Sequence, residues 1–163
     1  MSRRGFTIVE LIIVITIMAI LLVLAVVNLR GSQISARDDE RKTDITNIAL
    51  SLERFYTSGY DADPNGGQYP STAFMNTSED FTLEVLRDID PRNLIAPGAS
   101  TISASFAGAG TNSAQSPTID QYIYQALTST GALCTAGLEC RKYILYYRLE
   151  SDNNVYTKLS KNQ

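Results

Sequence analysis

Between Phe6 and Leu29 the chain holds one ionisable side chain, Glu10, followed by the apolar run Leu11 to Val27. As a helix rising about 1.5 Å per residue, this stretch covers roughly the 30 Å hydrocarbon thickness of a bilayer. Its length and composition therefore predict a transmembrane helix. Arg3 and Arg4 precede it and Arg30 is the first cation after it, so the positive-inside rule places Met1 in the cytoplasm and the chain beyond Arg30 outside. A secretory signal has a shorter apolar core ending in a small-residue cleavage site, and no Ala-x-Ala closes this one. The anchor is expected to stay on the protein.

Glu10 is the anomaly in that segment. A carboxylate inside lipid costs on the order of 2.5 kcal/mol or more unless it is protonated or paired. No Lys or Arg follows within the apolar run, so the same helix offers no partner. The partner is either another molecule or a cation created at the chain's own end. The bland alternative is a single-pass anchor whose Glu10 reaches water at the cytoplasmic interface.

Gly5-Phe6-Thr7-Ile8-Val9-Glu10, preceded by a short basic leader and followed by an apolar helix, resembles the prepilin signature of type IV pilins and of the related pseudopilins of secretion systems. The resemblance implies that a membrane peptidase cuts after Gly5 and that the new amino terminus, Phe6, is N-methylated. It also implies a partner for Glu10: the Phe6 ammonium of a neighbouring subunit, met when the helices pack into a filament. Gly5 suits a cut site because a residue without a side chain lets backbone approach the catalytic groups closely.

The chain has 163 residues, and about thirty of them form leader and anchor, leaving enough for one modest head domain. It carries 14 basic and 17 acidic residues; losing Arg3 and Arg4 with the leader leaves 12 against 17. That balance lacks the basic footprint of a nucleic-acid binder, and no specific nucleic acid is expected. The absence of histidine and of any Gly-x-x-x-x-Gly-Lys run removes the commonest general base and the phosphate loop of a nucleotide-driven enzyme. No catalytic residue, cofactor or metal is assigned. Cys134 and Cys140 lie on the predicted outer side, and five residues between them make a short disulfide loop feasible. Two free thiols or half of a metal site are the alternatives.

Helical periodicity continues beyond Arg30, with Ile34, Ile45, Ile48, Ala49, Leu52, Phe55 and Tyr56 recurring at three- and four-residue steps. It predicts a helix to about Ser58, stopped by Gly59. The charged turn Arg37, Asp38, Asp39, Glu40, Arg41, Lys42 and Asp44 reads mainly as a solvated face with pairs such as Asp38 with Lys42. Asp61-x-Asp63-x-Asn65-Gly66 has the opening spacing of a calcium loop, but Thr72 stands where the closing glutamate belongs, so a hydrogen-bonded turn is the preferred reading. A short helix is expected over Thr77 to Asp88, capped by Thr77 or Ser78 and closed by Asp90-Pro91. Pro97 to Pro117, rich in Ala, Ser, Gly and Thr, reads as a surface loop or ragged strand. Gln121 to Leu127, Tyr143 to Glu150 and Val155 to Leu159 read as three antiparallel strands, the last two joined by a turn at Ser151-Asp152-Asn153-Asn154. The nine tyrosines, spaced along those strands, read as cross-strand packing with hydroxyls at the edge.

The predicted fold is α+β, type IV pilin-like: a long N-terminal helix with a transmembrane half and an amphipathic half, packed on a small antiparallel sheet of about three strands. The expected division is 1–5 leader, 6–29 membrane or filament-core helix, 30–58 amphipathic half and 59–163 globular head. The implied function is a structural subunit of a type IV pilus, with a secretion pseudopilin as the alternative and a membrane-anchored binding module as a further one. The implied partners are further copies of the chain, a prepilin peptidase, an assembly ATPase, a membrane platform protein and the membrane itself. The expected location is the inner membrane before assembly and a surface filament after it. The Gln68-Tyr69-Pro70 exit resembles the Tyr-Pro that follows the long helix in many pseudopilins and pilins, and Asp90-Pro91 is similar to an Asp-Pro that recurs near this point in pseudopilins. Two departures from the family pattern stand out. No proline interrupts Phe6 to Leu29, where many type IV pilins carry one, and the cysteines do not tie a loop to the C-terminal end.

Overall fold

The computed structural model describes residues 7–59, 66–76, 79–86 and 89–162, and divides at the Ala36–Arg37 boundary into two compact units. Helix α1 spans Ile8–Ser58. In the first unit its apolar side chains, Leu11, Ile12 and Ile13 among them, are exposed. By length and composition this is a helix able to cross a membrane.

In the second unit the end of α1 packs on a sheet. Ile45, Ile48 and Leu52 recur at three- and four-residue steps, which places them on one face, and all three are fully buried. The helix stops where the periodicity says: Gly59 adopts φ 65° and its amide donates to the Phe55 carbonyl at 2.8 Å. Gly66 is needed for a different reason. A Cβ there would sit 2.7 Å from the Thr57 carbonyl oxygen, so only glycine lets the returning chain pass the helix end.

The elements that follow are two 3₁₀ turns, Phe74–Asn76 and Pro91–Leu94, helices α2 (Glu79–Val85) and α3 (Ile102–Ser105), and strands β1 (Phe106–Gly108), β2 (Tyr122–Leu127), β3 (Lys142–Arg148) and β4 (Val155–Leu159). The sheet order is β1-β2-β3-β4, with β1 parallel to β2 and the other two pairs antiparallel. The three expected strands are present and α+β is the fold class, but the sheet has four strands and is mixed. The extra strand falls in the Ala/Ser/Gly stretch. Only three residues long, it has no alternation to read, and Phe106 stays buried by pairing with β2.

That stretch is also not a free surface loop. Ile102, Phe106 and Pro117 are buried, and the chain after β1 covers the far face of the sheet. There the buried Gln125 amide donates to the Thr111 and Ser113 carbonyls at 2.9 and 3.1 Å, and its Oε1 accepts from the Tyr146 hydroxyl at 2.9 Å. The near face carries Tyr122, Tyr124, Ala126, Tyr143 and Leu145 against α1, as the alternation predicts.

Cys134 and Cys140 form a disulfide in the β2–β3 connection. The bonded loop is held on both sides. Cys134 N–H donates to Ala126 and Arg141 N–H to Leu127, while the Cys134 and Cys140 carbonyls accept from Thr72 and Tyr69. It joins the strand ends to the segment leaving α1. Leu52 is fully buried in the core cluster that α1 shares with the sheet. Leu52→Ala should lower unfolding free energy by about 3 kcal/mol, measured as the urea midpoint of the full chain in neutral detergent micelles.

Candidate functional site

The helix start is built by Thr7 and Glu10, three residues apart. Thr7 donates its backbone N–H and its hydroxyl to Glu10 Oε2 at 2.8 and 2.9 Å, and its Oγ1 accepts from Glu10 N–H at 3.3 Å. This is a reciprocal capping box: each side chain satisfies a backbone donor that the first helical turn leaves open. The Thr-x-x-Glu spacing is its sequence signal, and it gives Glu10 a local partner beyond those considered from the sequence. Both donations from Thr7 go to one carboxylate oxygen; among the described residues, Oε1 has no partner. Gly5 and Phe6, the expected cleavage and methylation positions, lie outside the described residues.

A second polar group ties the middle of α1 to the rest of the head. Asp38, Arg41 and Asp44 are buried, which corrects the reading of a solvated face for these three, while Asp39, Glu40 and Lys42 are exposed as expected. Arg41 donates to Asp38 at 3.0 Å and to the Ile119 and Pro97 carbonyls at 2.8 and 3.1 Å. Asp38 accepts the Glu150 and Ser151 amides at 2.8 and 3.0 Å, which pins the β3–β4 turn to the helix. Arg37 grips Glu150 through two hydrogen bonds of 2.8 and 2.6 Å. Lys42, expected to pair with Asp38, instead pairs with exposed Asp39 at 3.1 Å. The reason is that Asp38 faces the hairpin turn, where unpaired amides hold its oxygens more strongly than a solvated ammonium. Burial alone would push the Asp38 carboxyl up; the Ser151 and Glu150 donors and Arg41 outweigh it and hold the carboxyl below its usual range.

Asp44 behaves in the opposite way. Its Oδ2 accepts from the Tyr122 hydroxyl at 2.7 Å. Burial raises its pKa to about 7 against that hydrogen bond; Glu40 and Asp90 add to the rise and Arg41 opposes it. Tyr69, Tyr122, Tyr124, Tyr143 and Tyr146 are structural and buried, with their hydroxyls engaged inside the head rather than lining an edge, whereas exposed Tyr156 donates to Asp152 at the surface. Tyr69 and Tyr143 both donate to Glu53, at 3.0 and 3.1 Å, and Tyr124 donates to the Pro70 carbonyl at 2.6 Å. A sequence with Asp44 on the helix and Tyr122 on a strand 78 residues later carries no local sign that the two meet.

Asp61, Asp63 and Asn65 lie outside the described residues, as do Thr77 and Ser78, the expected helix caps. Asp90 caps the 3₁₀ turn that Pro91 opens, accepting from Arg92 N–H at 3.0 Å.

A capped apolar helix with one carboxylate in its first turn, together with an α+β head, fits a membrane-anchored precursor. Residues 1–26 match the family model described as the prokaryotic N-terminal methylation motif, the class III signal of type IV pilins and pseudopilins. The chain carries that signal, and its α+β head is consistent with the pilin-like plan. No curated protein and no solved structure matches the chain.

Asp44 ties stability to pH. An acid whose folded pKa is raised binds its proton more tightly folded than unfolded, so its contribution is full below about pH 4 and is lost as pH rises through about 7. Asp44→Asn keeps an acceptor for Tyr122 and removes the charge. Urea midpoints from pH 4 to 8 should show the variant gaining on the parent as pH rises, by roughly 2 kcal/mol above pH 7.

Proposed function

We propose that the chain is a structural subunit of a type IV pilus, cut after Gly5, N-methylated at Phe6 and assembled through α1. The observation that carries this reading is the N-terminal motif over residues 1–26 joined to a capped helix whose Glu10 keeps one carboxylate oxygen open. In the membrane, the capping box offsets part of the cost of holding Glu10 in the first turn. In the filament, the Phe6 ammonium of a neighbour occupies Oε1, and the apolar side chains exchange lipid for adjacent helices. Because a buried carboxylate left without its cation is expensive, the pair selects one axial offset between subunits. The energy of assembly comes from outside the chain, through a cytoplasmic ATPase and a membrane platform protein. The precursor sits in the inner membrane with its leader inside, and the product is a surface filament serving adhesion, motility or DNA uptake.

A secretion pseudopilin uses the same assembly chemistry. The Tyr69-Pro70 exit favours that second reading: Tyr69 is buried beside Glu53, and the Pro70 carbonyl accepts from Tyr124, so this dipeptide seats the segment that leaves α1.

Two variants separate charge from capping. Glu10→Gln retains an acceptor for the Thr7 donors and loses the charge; Glu10→Val loses both. Both should insert in the membrane at parental levels, and both should enter sheared surface filaments about tenfold less. Parental incorporation of Glu10→Gln would remove the ion pair from the account. Intact mass of the sheared material should give a chain starting at N-methylated Phe6. A processed chain confined to membranes would favour the pseudopilin, and an uncut leader in cells with active peptidase would refute both.

A further inference from the structure

On a chain with three more acidic than basic residues, three cations gather at one cleft of the head. Tyr56, Ser129, Arg141, Lys142, Lys161 and Asn162 line a cavity of about 550 Å³ where the helix end, the β2–β3 connection and the chain after β4 meet. Arg141 is held in place: its guanidinium donates to the Gly67 carbonyl and to Glu139, each at 2.8 Å. Glu139 is thereby engaged. Behind the cleft, Glu53 accepts from Tyr69, Tyr143 and the Lys161 backbone amide at 3.0, 3.1 and 3.0 Å. Among the described residues, neither the Lys142 nor the Lys161 ammonium pairs with a carboxylate. Asp61 and Asp63 follow Tyr56 in sequence and lie outside the described residues.

We propose that this cleft is an anion site for a phosphate group. Two ammoniums brought to one cavity repel each other, and a doubly charged anion between them turns that repulsion into two charge-assisted hydrogen bonds. The lysines act as mobile point charges, since the Arg141 fork is already occupied by Glu139. Ser129 and Asn162 supply neutral donors, and the Tyr56 ring, held 4.6 Å from Tyr69, offers a flat wall at the cavity edge. The phosphate belongs either to a small free species or to a phosphodiester strand, whose bases could stack on that ring. The site is independent of whether the chain forms filaments.

The test uses the full chain in neutral detergent micelles, titrated with inorganic phosphate and, at matched ionic strength, with sodium chloride, while amide and lysine ammonium resonances are followed by NMR. Lys142, Lys161 and Ser129 should shift saturably with phosphate and not with chloride. Lys142→Met with Lys161→Met should weaken that response about tenfold or more, whereas Lys42→Met with Arg92→Met, an equal change of charge elsewhere, should leave it unchanged. Near-UV circular dichroism checks that both double variants remain folded. A labelled oligothymidylate binding at lower concentration than phosphate, with the same dependence on Lys142 and Lys161, identifies a phosphodiester strand as the source; phosphate responding alone identifies a free species. Absence of a saturable phosphate shift overturns the proposal. An equal loss in the control double variant overturns it as well.

Discussion

An arginine withdrawn from water must be given partners, and Arg41 is the residue around which the head is tied. Its guanidinium reaches Asp38 on its own helix and the carbonyls of Pro97 and Ile119, on either side of the chain segment that contains β1. Asp38 in turn holds the β3–β4 turn. One buried ion pair therefore connects α1, the crossover and the hairpin, three parts of the chain that share no strand pairing at that end. The apolar stripe of Ile45, Ile48 and Leu52 supplies most of the burial, but it is non-directional. The ion pair and its hydrogen bonds decide which turns lie against the helix. Breaking such a pair leaves an uncompensated buried charge, at a cost of several kcal/mol, so the arrangement is strongly specified even where its net contribution to stability is small.

The same accounting of charge runs through the rest of the molecule with different outcomes. Asp38 meets amides and a cation, which hold its carboxyl below the usual range; Asp44, a turn and a half further along, meets a hydroxyl in a buried setting and is pushed up to about 7. Glu53 collects two tyrosine hydroxyls and a backbone amide. Glu10 meets a threonine and a free helix terminus, which accounts for one of its oxygens. Each carboxylate on α1 is thus read by what faces it rather than by its own identity. Among the described residues, the open oxygen of Glu10 and the lysines of the cleft are where this accounting leaves room for another molecule.

The long apolar run, its single acid and the extent of α1 were legible in the sequence because each is local. Apolar length, a helical period and a glycine at residue 59 act within a few residues of chain. Strands β2 and β3 were legible through the alternation of Tyr122, Tyr124 and Ala126 with their partners, and β4 by its β-branched and aromatic content, because a half-buried sheet imposes a period of two. Strand β1 was not, since three residues carry no period. The covering role of residues 109–117 was hidden by their composition. Small polar residues suit a loop, and only the buried amide of Gln125 reveals that their carbonyls are needed.

What the sequence by itself determined is the membrane-length helix, the Thr7–Glu10 spacing, the N-terminal methylation motif and the core face of α1. These depend on neighbours three or four residues away, within reach of backbone geometry. Tertiary structure alone decided that Asp38, Arg41 and Asp44 are buried, that the sheet is mixed, that the hydroxyls of Tyr122, Tyr124 and Tyr143 face inward and that Arg141, Lys142 and Lys161 share a cleft. The physical reason is that burial of a polar group depends on the partner presented to it. For these residues most of the partners stand tens to more than a hundred positions away in the chain.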